Sequence, residues 1–64
     1  MIKMNSEING CLLQYADSYM DLFLRTRDEG ILDIARMRVE IAYQNGARVD
    51  PQLNRLINIY RTLS

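Results

Sequence analysis

Few side chains in this sequence have the chemistry of a catalytic site. The 64 residues include no histidine and a single cysteine, Cys11. A general base that works near neutral pH is usually a histidine, and a serine or cysteine nucleophile needs an adjacent base to activate it. Neither Cys11 nor Ser18 has an evident activating base. We therefore predict that the protein is not an enzyme and that Cys11 is a small buried hydrophobic side chain.

Two pairs of carboxylates are the remaining chemical candidates. Asp17 and Asp21 are four residues apart, and Asp28 adjoins Glu29. Such a pair on a helix would bind Mg²⁺ or Ca²⁺ only with water, because hard cations need several oxygen ligands from different elements. Zinc prefers histidine and cysteine ligands, which this sequence almost lacks. We predict solvated acidic faces, with no metal, no cofactor and no small-molecule substrate.

Composition indicates one folded domain over residues 1–64. Apolar residues make up 48% of the chain and charged residues 25%, as is ordinary for a globular domain. Eight basic and eight acidic side chains cancel, so net charge favours neither nucleic acid nor an anionic membrane. No apolar run approaches the ~20 residues that cross a bilayer. With one unpaired cysteine, the prediction is a cytoplasmic protein without a membrane span.

Apolar side chains recur at helical spacing almost throughout the chain. The first helix is predicted from Ser6, which with Asn5 offers an N-cap, to about residue 26. Its main apolar stripe consists of Ile8, Leu12, Tyr15, Tyr19 and Leu22, and a second stripe of Leu13, Ala16, Met20 and Phe23 lies one residue over. Together these stripes make an apolar face wider than the seam between two helices requires.

Residues 25–30 are predicted to break the helix. Thr26 and Glu29 have the capping-box spacing that starts a new helix, although one long helix through Gly30 is the alternative, since an interior glycine costs only ~1 kcal/mol. A second helix then ends at Asn45-Gly46. Asp50 as N-cap and Pro51 at the first helical position open the third helix.

The predicted fold is all-α, a small antiparallel helical hairpin or three-helix arrangement over about 6–26, 30–45 and 50–63. In the second helix, the inward residues are predicted to be Ile31, Ile34, Ala35, Ile41 and Ala42, and in the third Leu53, Leu56, Ile57, Tyr60 and Leu63. The apolar residues left over are Leu24, Leu32, Val39, Tyr43 and Ile59. Isolated exposed apolar side chains are normal on a monomer, but a contiguous patch indicates a covered surface.

A non-enzymatic interaction protein follows from this excess of apolar surface. It would act as a chaperone, adaptor or inhibitor that binds another protein through an apolar helical face, with aromatic side chains as anchors. The predicted partner-binding residues are Tyr15, Tyr19, Phe23, Leu24, Leu32, Val39, Tyr43, Ile59 and Tyr60.

The alternative is a homo-oligomeric helical regulator that buries the same face against a second copy. Such a regulator would bind DNA through the helix-Gly-helix element at residues 31–63, which contains five arginines. The Val49-Asp50-Pro51 connection is longer than the tight turn of DNA-reading motifs. Nucleic acid is therefore the less favoured partner.

Two family resemblances fall on the same region. Asn45-Gly46 followed by Asp50-Pro51-Gln52 between amphipathic helices resembles the small helical-hairpin co-chaperones of bacterial type III secretion systems. Those proteins bind the needle subunit together with a second chaperone and prevent its polymerisation, so the resemblance implies that the leftover apolar face binds a chaperone.

The stretch 53–60 is similar to the end of the small aspartyl-phosphate phosphatases of sporulation phosphorelays. That family has a Ser-Gln-Glu-Leu-Asp signature, whereas residues 50–54 lack the serine and have Asn54 in place of the acid. No phosphatase activity is carried over.

Overall fold

The computed structural model describes residues 2–63, with side chains from residue 7 onward, and this part of the chain forms a small all-α fold. It contains α1 (Ile2–Thr26), α2 (Glu29–Gln44) and α3 (Asp50–Leu63). The predicted fold class and the break between the first two helices are confirmed. Helix α1 begins at Ile2, earlier than predicted, and the side chains of Asn5 and Ser6, the expected N-cap, lie outside the described residues.

The break between α1 and α2 depends on three consecutive polar residues. Arg27 has a left-handed backbone, with φ at 58°, which ends α1. Asp28, and not Thr26 as predicted, is the N-cap of α2, and its Oδ1 accepts a hydrogen bond from the Gly30 N–H at 2.9 Å. The Thr26 hydroxyl instead donates to the Leu22 carbonyl of the helix that is ending. The polar run therefore closes one helix and caps the next.

A five-residue connection separates α2 from α3. Gly46 has φ at 87°, a conformation that glycine adopts without steric cost, and its N–H donates to the Tyr43 carbonyl. Asp50, predicted to be the N-cap of α3, is instead its first helical residue, and Pro51 is its second. An acidic side chain in this turn is favourable because the helix N-terminus is electropositive.

The first two helices form an antiparallel hairpin, and α3 returns alongside it. At one end of the hairpin, Asn45 Nδ2 donates to Asn9 Oδ1 at 3.3 Å. Arg55 of α3 contacts α1 through Asp17, at 3.3 Å, and through Asp21. The hydrogen bond to Asp21 is the main cause that raises the pKa of Arg55. The molecule measures 40 × 17 × 13 Å, as expected for three roughly aligned helices.

The core is built around small side chains at the seam between α1 and α2. Ala16, Ala35 and Ala42 are fully buried and allow the two helices to approach closely. The full set of buried apolar residues is Ala16, Met20, Phe23, Leu32, Ala35, Val39, Ala42, Val49, Leu56 and Ile59. In α1, the second apolar stripe therefore faces inward, while Ile8, Tyr15 and Leu22 of the main stripe are exposed.

The predicted division of α2 and α3 into inward and leftover residues is partly wrong. Leu32, Val39 and Ile59, predicted to be left over, are in the core. Conversely, the predicted inward residues Ile34, Ile41, Leu53, Ile57, Tyr60 and Leu63 are each exposed by more than a third. These helices have apolar residues on several sides, so periodicity does not decide which stripe turns inward, and one residue of rotation changes the face by about 100°.

Candidate partner-binding surface

One side of the α1–α2 hairpin is an uncovered apolar surface, which we call the hairpin face. Its members are Ile8, Leu12, Tyr15, Tyr19 and Leu22 from α1 and Ile34, Arg38 and Ile41 from α2. In each helix these positions recur every three or four residues and thus follow one stripe. The two stripes meet where Arg38 contacts Tyr15 and Tyr19. All the apolar members except the half-buried Leu12 and Tyr19 are exposed by more than a third.

Helix α3 packs on the opposite side of the hairpin. Its Arg55 contacts Asp17, which lies two residues from both Tyr15 and Tyr19 and therefore points about 200° away from them. On α2, the side chains next to α3 include Arg36 and Glu40, each two residues from Arg38. The hairpin is thus covered on one side by α3, and the hairpin face has no covering element among the described residues.

A cation lies between two aromatic rings in the middle of the hairpin face. The Cζ atom of Arg38 is 5.2 Å from the ring centroid of Tyr15 and 5.4 Å from that of Tyr19. Guanidinium groups are attracted to the faces of aromatic rings at such distances. The Nε atom of Arg38 is buried and has no hydrogen-bond partner. Tyrosine and arginine are also the residue types enriched at the energetic centres of protein interfaces.

A shallow depression of about 330 Å³ lies at the end of the hairpin face near the α1 N-terminus. Its lining includes Ile8, Leu12 and Tyr15, with Arg38 at one side and Glu7 at another. Cys11 also lines this depression and is exposed, so the prediction of a buried cysteine is wrong. The cysteine lies one residue before Leu12, at the border of the apolar stripe, which explains its access to solvent.

A second apolar groove, of about 360 Å³, separates α2 from α3. Val39, Tyr43, Leu53 and Leu56 supply its apolar lining, and Arg36 and Glu40 its polar lining. Arg36 forms exposed ion pairs with Glu40 at 3.8 Å and with Asp33 at 4.0 Å. The groove is a gap between two neighbouring helices that already pack on each other. The hairpin face, in contrast, is an entire side of the α1–α2 hairpin.

The predicted partner-binding residues are divided among four places. Tyr15 and Tyr19 lie on the hairpin face, and Tyr43 lines the groove between α2 and α3. Leu24 and Tyr60 are exposed elsewhere. Phe23, Leu32, Val39 and Ile59 are buried core residues, because they fill the seams that join the helices; Val39 also forms the floor of the groove.

Sequence reasoning missed the contribution of α2 to the hairpin face. Ile34, Arg38 and Ile41 have the i, i+4, i+7 spacing of one helical stripe, and this spacing is visible in the sequence. Ile34 and Ile41 were predicted to face inward together with Ala35 and Ala42. The two alanines do lie in the seam, as predicted, but the isoleucines turn outward.

The described residues form neither a metal-binding cluster nor a membrane-spanning helix. The carboxylates of Asp17 and Asp21 both pair with Arg55. A metal site would need at least three histidine, cysteine, aspartate or glutamate side chains close together, and residues 7 to 63 contain no such group. None of the helices, over the residues described, combines the length and apolarity needed to cross a membrane.

Comparison with protein-family models, curated proteins and solved structures finds no match to this chain.

Proposed function

We propose that this protein binds another protein through the hairpin face and acts as a chaperone, adaptor or inhibitor without chemistry of its own. The observation that carries the proposal is the position of the apolar stripes. The fold buries one side of the hairpin against α3 and leaves Ile8, Tyr15, Ile34 and Ile41 in solvent on the other. A helix of a second protein laid along this side would bury them as α3 buries the opposite side.

The charge of the hairpin face favours a different protein over a second copy of the chain. Arg38 lies near the middle of the face, between Tyr15 and Tyr19. A two-fold symmetric pair that buries this face would bring two Arg38 side chains toward its centre. Like charges brought together in an apolar interface oppose association. A partner with another sequence avoids this repulsion.

Three of the five arginines of the helix-Gly-helix element are engaged within the chain, which favours protein over nucleic acid as the partner. Arg36 and Arg55 form ion pairs with acidic residues of the chain, and Arg38 stacks on two rings. If the chain were a helix-turn-helix protein, Arg55 would lie on the helix that reads the DNA. In the structure its side chain instead contacts α1. Phosphate binding depends on cations that are free to replace counterions.

The proposed setting is the cytoplasm. Cys11 is exposed and unpaired, which suits a reducing compartment. The resemblance to secretion co-chaperones is compatible with this role, and under it the hairpin face would receive the second chaperone. The identity of the bound protein decides between chaperone, adaptor and inhibitor.

Site-specific photocross-linking tests the proposal. The photoreactive amino acid p-benzoylphenylalanine replaces Tyr15 in one variant and Tyr43 in another, and both are expressed in the cells that naturally produce the chain. The two tyrosines are exposed by 55% and 66% but lie on different sides of the molecule. We expect a discrete adduct with a different protein from position 15 and not from position 43.

Three results would contradict this assignment. An adduct of twice the chain's own mass from position 15 would show that a second copy covers the face, and the homo-oligomeric reading would replace ours. Equal adduct patterns from positions 15 and 43, or none from position 15, would show that the hairpin face is not the docking surface.

A further inference from the structure

We propose, on the basis of the docking role above, that the hairpin face recognises an amphipathic helix with an acidic side chain at its centre, and that this carboxylate pairs with Arg38. The partner's apolar residues would cover Ile8, Ile34 and Ile41 around the ion pair. The geometry thus assigns Arg38 as the residue that determines which apolar helices are accepted.

The charge of Arg38 points to a missing acceptor. No carboxylate between residues 7 and 63 lies within 4.0 Å of its guanidinium, whereas Arg36 and Arg55 both have acidic partners. Charged groups that are taken out of water in proteins are normally paired, so the structure leaves room for a counter-ion of Arg38 from outside the chain. A carboxylate is the acceptor that matches the fork of a guanidinium group.

Covering the face makes this acceptor necessary. In the free protein, Arg38 is half-buried and its charge is still hydrated in part. A docked helix would displace that water, and a cation without a counter-ion in an apolar interface is strongly disfavoured. An apolar helix without an acid would therefore bind weakly. One with a carboxylate beside Arg38 would gain a charge-assisted pair between two tyrosine rings.

Glu7 is the acidic side chain that lines the same depression as Arg38. It forms no ion pair with Arg38 in the structure, and it lies one residue before Ile8, at the edge of the apolar stripe. Glu7 as the counter-ion is the competing account. Under that account the partner would need no acid, so the two accounts predict different ligand preferences.

The length of the face sets the length of the partner helix. Ile8 and Leu22 are 14 residues apart on α1, which corresponds to roughly 21 Å along the helix axis. A helix of about 15 residues, or four turns, matches this distance. Arg38 meets the α1 stripe near Tyr15 and Tyr19, so the acid belongs in the middle of that helix.

A pair of synthetic peptides tests the inference. Both are 15-residue, lactam-stapled helices whose binding stripe is formed by positions i, i+4, i+7 and i+11. Leucine occupies i, i+4 and i+11, and the central position i+7 is glutamate in one peptide and glutamine in the other. Binding to the full chain is measured by fluorescence anisotropy. We expect the glutamate peptide to bind at least tenfold more tightly, with the advantage decreasing as salt is added.

Matched arginine variants assign the preference to one residue. Arg38→Met keeps an unbranched apolar stem but removes the cation. We expect the glutamate and glutamine peptides to bind this variant equally. Arg36→Met removes a cation two residues away, on the side next to α3, and should leave the tenfold preference intact. Glu7→Gln should also leave it intact.

The outcomes separate this inference from the proposed function. If both peptides bind the wild type equally and Tyr15→Ala weakens both, the face docks helices but Arg38 does not select an acid, and this inference alone is overturned. If neither peptide binds, or if Tyr15→Ala changes nothing, the hairpin face does not accept helices and both proposals fail.

Discussion

Replacement of Phe23 by alanine is expected to unfold a large fraction of the molecules. Phe23 belongs to the core and is the largest of the fully buried side chains among the described residues. Removal of a buried phenylalanine side chain typically costs about 3–5 kcal/mol. The whole free energy of unfolding of a 64-residue domain is roughly 3–10 kcal/mol. Urea titration followed by circular dichroism measures the loss.

The adjacent residue is the matched control. Leu24 is exposed by 39%, and Leu24→Ala should change the free energy of unfolding by less than about 1 kcal/mol. This pair also tests the placement of Phe23 in the core, where sequence reasoning had expected a partner-binding residue. Equal destabilisation by the two substitutions would show that α1 is rotated differently from this structure.

The second large effect is expected on binding. Tyr15→Ala should weaken the affinity for the protein captured at position 15 by about 30-fold or more, which corresponds to the 2 kcal/mol of an interface hot spot. The tyrosine ring presents apolar area and also contacts the guanidinium of Arg38, so its loss removes two interactions. Isothermal titration calorimetry with the purified partner measures the change.

Tyr43→Ala serves as the control for this binding loss. Tyr43 is the more exposed of the two tyrosines and lines the groove between α2 and α3. Its removal should change the affinity by less than threefold, and both variants should keep the helical circular dichroism of the wild type. A larger loss for Tyr43→Ala than for Tyr15→Ala would move the docking surface to the groove.

Local signals in the sequence predicted the helices well. Gly46 ends α2 because its positive φ suits glycine, and the acidic and proline residues after it begin α3 close to the predicted position. The break after Thr26 was also expected. The N-cap was assigned to the wrong residue because Thr26 and Asp28 are both good caps, and only the backbone turn at Arg27 selects Asp28.

The orientation of each helix was harder to predict than its boundaries. Hydrophobicity alone favours the larger residues Ile34 and Ile41 as core positions, yet close packing of two helices favours Ala35 and Ala42 at the seam. The sequence offered Tyr15 and Tyr19 as partner-binding residues by their type, and this remains a prediction; it did not offer Arg38, which contacts both of them. A cation between two rings belongs to no sequence pattern, since its neighbours come from another helix.

The most direct test of the central claim uses Cys11 as a reporter of the hairpin face. Its thiol is exposed in the depression formed with Ile8 and Tyr15. In the free chain, we expect Cys11 to react with Ellman's reagent at nearly the rate of the unfolded protein, independent of protein concentration. When the captured partner is bound, the reaction should slow by at least tenfold. A complex in which Cys11 reacts as fast as in the free chain would show that the partner binds elsewhere and would contradict the account.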